Sequence, residues 1–256
     1  MTQMLASVSN AQEALIALEA GVDIIDLKNP AQGALGALPS TVIREVVTAI
    51  NGRKPISATI GDLAMEPGLL MCATAHTKVL GVDIIKLGFF GAANHRQCIK
   101  ALQPLVAKGL RVVAVLFADQ NPDFGLLPAL KEAGFYGVML DTANKSEGNL
   151  LDYRGLDDLR AFIKLARLHG LQSGLAGSLR LEHISQLAAF GANYLGFRGA
   201  ICENLQRGSS INPSKIMGIK RLLYKHNRMP ANPDLILELN VLGVASDHTF
   251  NVPSDY

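Results

Sequence analysis

Ala20-Gly21-Val22-Asp23-Ile24-Ile25-Asp26-Leu27-Lys28 and Gly81-Val82-Asp83-Ile84-Ile85-Lys86-Leu87-Gly88 are two copies of one phrase. Looser copies run over 133–141 and 191–199, and the leading glycines Gly21, Gly81, Gly134 and Gly191 stand 60, 53 and 57 residues apart. Each copy is a short apolar run behind a glycine of the kind that ends a helix, and each finishes on polar or charged residues. A scaffold that repeats its strand while varying the last residues carries different chemistry at equivalent points. That is the pattern of an enzyme barrel.

Four more β-rich runs fall between the copies: Leu5 to Val8, Ile56 to Ile60, Arg111 to Phe117 and Gln172 to Ser178. Helical patterns follow every strand, over 11–20, 41–50, 66–80, 94–108, 124–133, 156–169, 179–190 and 213–226. Ser9 or Asn10 is placed to cap the first helix and Ser40 the second. Near-continuous apolar strands suit a parallel sheet covered by helices. The chain is therefore predicted to be α/β, a (β/α)8 TIM barrel over 1–227 with a C-terminal extension over 228–256. An open doubly wound sheet is the weaker alternative. The extension begins with a Pro-rich connector, and 235–242 reads as a short helix or an edge strand. Its candidate roles are covering the barrel or contacting another subunit, which leaves a homo-oligomer open.

Composition narrows the function. With 49% hydrophobic and 18% charged residues in 256, the chain has material for one large core and is not disordered. A net charge of +2, no Trp and few aromatics argue against nucleic-acid binding. No apolar run approaches the roughly 18 residues of a membrane helix, and no secretory signal is seen, so a soluble cytoplasmic protein is expected. Cys72, Cys98 and Cys202 lack metal spacing and are expected as reduced thiols. His76, His95, His169 and His183 are likewise expected as ordinary helix residues.

Strand side chains alternate, so Ile24, Asp26 and Lys28 share a face. Aligned on their glycines, the copies put Asp26, Lys86, Met139 and Gly196 at one level, with Lys28, Gly88, Asp141 and Arg198 two residues further on. The charged members are predicted to point into the barrel at its C-terminal end, where this fold keeps its active sites. Asp23 and Asp83 have the opposite parity and are expected against the helices. A buried structural network is the competing reading, but such networks are poor sources of stability. Lysine is the informative residue type. A desolvated amine is able to lose its proton and attack a carbonyl, while a second amine shuttles protons. Lys145, four residues after Asp141, is either a mouth residue or a solvated loop lysine. Arg198 reads as a ligand group or as a partner of Asp141, and Asp62 as a mouth residue or a helix cap.

The last two strand-end loops, Gly174-Leu175-Ala176-Gly177-Ser178 and Gly196-Phe197-Arg198-Gly199-Ala200, suggest phosphate. Phosphate sites of this fold often use these two loops. Gly177, Ser178, Arg198 and Gly199 are the candidate phosphate-binding residues, and Arg207 in the following loop is placed to add charge.

On these segments the chain resembles the (5-formylfuran-3-yl)methyl phosphate synthase family. The resemblance rests on Asp26-Leu27-Lys28-Asn29-Pro30 with Gly33-Ala34-Leu35-Gly36, on Ile85-Lys86-Leu87-Gly88, on Met139-Leu140-Asp141-Thr142 with Lys145, and on the 174–178 loop. It spans about 3–225. It implies a lyase of C1 metabolism that condenses two glyceraldehyde 3-phosphate molecules, releasing phosphate and water, for methanofuran-type cofactors. The Schiff-base lysine falls on Lys28 and the proton acceptor on Lys86, with Asp26, Asp141 and Lys145 around them. No cofactor and no metal are implied, and the partner is a phosphorylated triose. The alternatives are a Schiff-base aldolase for another phosphorylated sugar and a non-catalytic barrel that binds a phosphorylated metabolite.

Overall fold

The computed structural model describes residues 1–228 apart from 92 and 146. Of the extension expected over 228–256, with its covering or subunit-contacting role, residues 229–256 lie outside the described residues. Eight strands form a closed barrel in chain order with every neighbouring pair parallel. They are β1 (Gln3–Val8), β2 (Ile24–Leu27), β3 (Ile56–Thr59), β4 (Ile84–Phe89), β5 (Arg111–Phe117), β6 (Gly137–Asp141), β7 (Gln172–Leu175) and β8 (Tyr194–Phe197). The open-sheet alternative is thereby excluded.

The helices outside are α1 (Ala11–Glu19), α2 (Ser40–Ile50), α3 (Pro67–Lys78), α4 (His95–Val106), α5 (Leu127–Glu132), α6 (Leu150–Tyr153), α7 (Leu156–Leu168), α8 (Leu181–Ala189) and α9 (Pro213–Arg228). Asn10 caps α1, its side chain accepting from the Glu13 N–H at 2.9 Å. Ser40 does not cap α2. It is the first helical residue, after Pro39, and its hydroxyl meets the His76 ring at 2.9 Å. The helix expected over 124–133 begins as a 3-10 turn, Phe124–Leu126, with Pro128 in the first turn of α5, where its missing N–H costs nothing. The short α6 was not anticipated. Asn149 and Asp152 close a capping box around it.

Two apolar layers follow from strand alternation. One strand face packs against the helices, with Ile25, Leu27, Ile85, Leu87, Val112 and Leu140 among its buried members. The other fills the barrel interior with Leu5, Ile24, Ile84, Val113, Val115, Met139 and Tyr194. Burying such side chains contributes about 1.5–3 kcal/mol each. The interior parity runs upward into Asp26, Lys86 and Asp141, which are buried charges at the end of an apolar column.

The opposite rim of the barrel carries a repeated latch. Asp23 accepts the backbone N–H of Met4 at 2.8 Å, and Asp83 accepts that of Ile56 at 2.8 Å. Asn193, at the same place in its copy, accepts that of Ser173 at 2.8 Å. Asp23 also pairs with Lys220 of α9 at 2.7 Å, as its outward parity predicts, while Asp83 lies near Arg111 at 3.6 Å. In the remaining copy, 133–141, Tyr136 holds the place, with the Arg111 guanidinium 5.6 Å from its ring.

Candidate active site

A cavity of about 280 Å³ opens at the C-terminal end of the barrel. Its wall includes Asp26, Lys28, Lys86, Asp141, Lys145, Gly177, Ser178, Arg198 and Gly199, so the residues singled out from the sequence share one space. Arg180, Arg207 and Asp152 join them at the rim. Lysines and arginines outnumber carboxylates along this wall, which favours an anionic ligand.

Asp26 sits at its floor with no exposure. Its Oδ1 accepts from Ser57 Oγ at 2.6 Å and lies 2.6 Å from Lys86 Nζ, and its Oδ2 accepts from Ser7 Oγ at 2.8 Å. Burial pushes the Asp26 carboxyl upward, but Lys86, Lys28 and the Ser57 hydroxyl outweigh it and hold the group below its ordinary value. For Lys86 burial dominates. It lowers the amine's proton affinity, Asp26 opposes this, and the nearby Lys28 charge adds to the lowering.

Asp141 serves two amines. Its Oδ2 lies 3.3 Å from Lys28 Nζ, while its Oδ1 takes the Lys145 ammonium and the Thr142 N–H. Burial opposes its charge, yet Lys145 and Lys28 hold the carboxyl well below the usual range. Lys145 is lowered to about 8, first by burial and also by the Lys28 charge, against the pull of Asp141. Its side chain is 11% exposed and paired with Asp141, so of its two sequence readings the solvated loop lysine does not hold.

Lys28 is nearly buried because the loop after β2 folds across it. Its Nζ donates to the Ala34 carbonyl at 3.2 Å. The loop is fastened by Asp62, whose carboxylate accepts the N–H groups of Ala34 and Leu35 at 2.7 Å each. Asp62 therefore caps no helix. The fold of this loop also explains the Gly33-Ala34-Leu35-Gly36 phrase. A Cβ on Gly36 would stand 2.3 Å and 2.5 Å from the carbonyl oxygens of Gln32 and Asn29.

At the β7 and β8 ends, Gly177 adopts φ +111° and Ser178 φ +50°. No protein acceptor among the described residues takes the N–H of Gly177, Ser178, Gly199 or Ala200. Arg198 lies on the wall but does not hold Asp141. Its Nη1 and Nη2 engage Glu13 at 2.6 Å and 3.2 Å. Glu13, on α1, is not marked in the sequence, because nothing local identifies a helix carboxylate that pairs with an arginine at a strand end. Among the described residues no cluster of three or more His, Cys, Asp or Glu is arranged to hold a metal ion. Nor is any helix there long and apolar enough to cross a membrane.

The fold alone is shared with solved structures of low identity. One is 3-hexulose-6-phosphate synthase from Salmonella typhimurium, with TM-score 0.62 and 18% identity over 88% of this chain and 100% of that one. Another is phosphoribosyl anthranilate isomerase from Thermus thermophilus, with TM-score 0.63 and 15% identity over 88% and 99%. Sequence relatives are nearer. The (5-formylfuran-3-yl)methyl phosphate synthase of Methanosarcina mazei is 37% identical over 211 residues, covering 78% of this chain and 90% of that protein. The synthase of the same name from Methanothermobacter thermautotrophicus is 36% identical over 231 residues, covering 86% and 98%. Residues 4–220, which hold all the buried charges of the cavity, match the family described as 4-HFC-P synthase. The chain belongs to that family and is an enzyme of it.

Proposed function

We propose that the cavity condenses two molecules of glyceraldehyde 3-phosphate into (5-formylfuran-3-yl)methyl phosphate, for methanofuran-type cofactor synthesis, through an imine on Lys28. The observation that carries this reading is the placement of Lys28 and Lys86 in one cavity, each beside its own buried carboxylate.

The Lys28 amine adds to the aldehyde carbon, and loss of water from the carbinolamine leaves an iminium. Lys86, whose proton affinity burial reduces, takes the proton from the neighbouring carbon, and the iminium accepts the electron pair to become an enamine. Enamine attack on the second aldehyde forms the carbon–carbon bond. Ring closure and elimination then restore the free amine of Lys28. Atom balance between two trioses and the furan requires release of one phosphate and two molecules of water. Asp141 steadies the cationic stages of Lys28, and Lys145 beside it, titrating near 8, is placed to return a proton. The unsatisfied N–H groups of Gly177, Ser178 and Gly199 are placed to receive phosphate oxygens.

Borohydride added during turnover of glyceraldehyde 3-phosphate is expected to fix covalent mass on the Lys28 peptide, with an ultraviolet-absorbing furan and free phosphate formed in its absence. An unmodified Lys28 in active protein would exclude the imine. Trapping without phosphate release would instead favour an aldolase.

A further inference from the structure

The segment from Cys202 to Ile211 folds back on itself after β8. Its ends form an antiparallel bridge, and Glu203 N–H donates to the Ser210 carbonyl at 2.9 Å. From this segment Leu205 and Arg207 line the cavity, and Arg207 opens the turn Arg207-Gly208-Ser209. Arg198 fixes this turn from below. Its Nε donates to the Arg207 carbonyl at 2.7 Å, and its Nη2 to the Ser209 carbonyl at 3.2 Å. The remaining donors go to the Ser7 carbonyl at 3.2 Å and to Glu13. Glu13 is itself anchored by the Ser9 N–H at 2.8 Å and the Ser9 hydroxyl at 2.9 Å. A guanidinium offers five N–H groups, and all five of these meet protein oxygens. Arg198 thus has no donor left for a ligand.

Arg207 is the reverse case. Its guanidinium lines the cavity half-buried and, among the described residues, meets no protein hydrogen-bond acceptor. Its stem rests near Gly199, where an added Cβ would lie 3.7 Å from Arg207 Cγ. The unsatisfied N–H groups of Gly199 and Ala200 are therefore close to it in the same wall. Burial works against the Arg207 charge, Asp141 supports it and Arg198 opposes it. A half-desolvated cation beside free N–H groups is suited to a dianion, since guanidinium matches phosphate in a two-point contact.

We propose that Arg207 is the side chain that grips a phosphate monoester in this cavity, and that Arg198, bound to Glu13, is a positioning residue that aims it. Arg198 thereby leaves the ligand role expected for it from the sequence. This rests on the reading that the cavity takes a phosphorylated triose, and it adds which cation meets the phosphate.

The test measures binding of glycerol 3-phosphate, which has no aldehyde, by calorimetry on the full chain. Arg207→Ala is expected to weaken it roughly 10- to 100-fold, the loss of one or two charge-assisted hydrogen bonds. Added guanidinium ion is expected to restore part of the affinity. Arg198→Lys keeps a cation on the wall but cannot reach four partners at once, so it should weaken binding too. The double variant should be no weaker than Arg207→Ala alone, since both act through one contact. If Arg198→Lys fails to fold, Glu13→Gln tests the same knot, with the same non-additivity expected. Unchanged affinity in Arg207→Ala overturns the proposal while the cavity reading stands. An additive double variant overturns the positioning role. A wild-type protein that binds no glycerol 3-phosphate overturns the proposal together with the reading beneath it.

Discussion

Asp26 Oδ1 and Lys86 Nζ lie 2.6 Å apart at the floor of the cavity, with their side chains 0% and 2% exposed. Removing the charge of one partner strands the other in a dry place. Asp26→Asn is therefore expected to lower the free energy of unfolding by about 3–5 kcal/mol, the usual cost of breaking a buried pair. The double variant Asp26→Asn, Lys86→Met should recover much of that stability and none of the turnover. Urea titrations of the three proteins check this, and a stable Asp26→Asn would show that the pair contributes nothing to folding.

Lys145 should make stability depend on alkaline pH. Its folded value is about 8 against an ordinary 10.5, so across that window the unfolded chain keeps a proton that the folded chain has released. Unfolding free energy therefore rises with pH through the window, and the burial penalty is fully present below it. The difference in stability between wild type and Lys145→Met is expected to shift toward wild type from pH 7.5 to 10. A flat difference would contradict the placement of this amine.

The carboxylates give the opposite limb. Asp26 and Asp141 are both held below their ordinary value, so their contribution is present above the unfolded carboxylate range. It is lost as pH falls through their folded values. Asp141→Asn should flatten the acid limb of the unfolding curve. An acid limb identical to that of wild type would place the sensitivity elsewhere.

Gly177→Ala is expected to damage chemistry and stability together. The residue holds φ +111°, and an added Cβ would stand 2.9 Å from Thr142 Cγ2. The left-handed conformation alone costs about 1–2 kcal/mol for a residue with a Cβ. Thr142 donates its N–H to Asp141, so its displacement also disturbs the carboxylate between Lys28 and Lys145. Turnover and denaturant midpoint should fall in parallel. A drop in midpoint with normal turnover would separate the two effects.

Asp62→Ala should loosen the loop over Lys28 without unfolding the barrel. Two backbone N–H groups lose a charged acceptor, worth roughly 1.5–3 kcal/mol each when made to a charge. Limited proteolysis is expected to cut within 29–38 in the variant well before the remainder, with turnover reduced. Equal resistance in both proteins would mean that the loop is held by its buried Leu35 instead.

The strands were legible because the repeated phrase combines an apolar run with a glycine boundary, and parity then placed Asp26, Lys28, Lys86 and Asp141 on the cavity side. What parity does not carry is the partner. Arg198 enters the mouth as expected, but Glu13, 185 residues earlier, takes its guanidinium. Asp62 looks like a helix cap by its position after a strand, and only the folded β2 loop offers it two N–H groups. Arg207 stands in a loop with no periodicity, and the contacts that hold its backbone, from Arg198 and from within the 202–211 turn, leave no mark in the sequence. Ser40 fails as a cap because Pro39 already supplies the extended residue before the helix.

The latches at the far rim join strands in twos: Asp23 ties β2 to β1, Asp83 ties β4 to β3, and Asn193 ties β8 to β7. Their partners are only 19, 27 and 20 residues apart, so each twosome can assemble before the cylinder shuts. A circular permutant opened between β2 and β3 keeps all three latches within continuous chain, whereas one opened between β3 and β4 parts Asp83 from Ile56. The first should refold at a rate near that of the parent and the second more slowly, which makes the chain a set of latched strand pairs beneath a mouth free to change its chemistry.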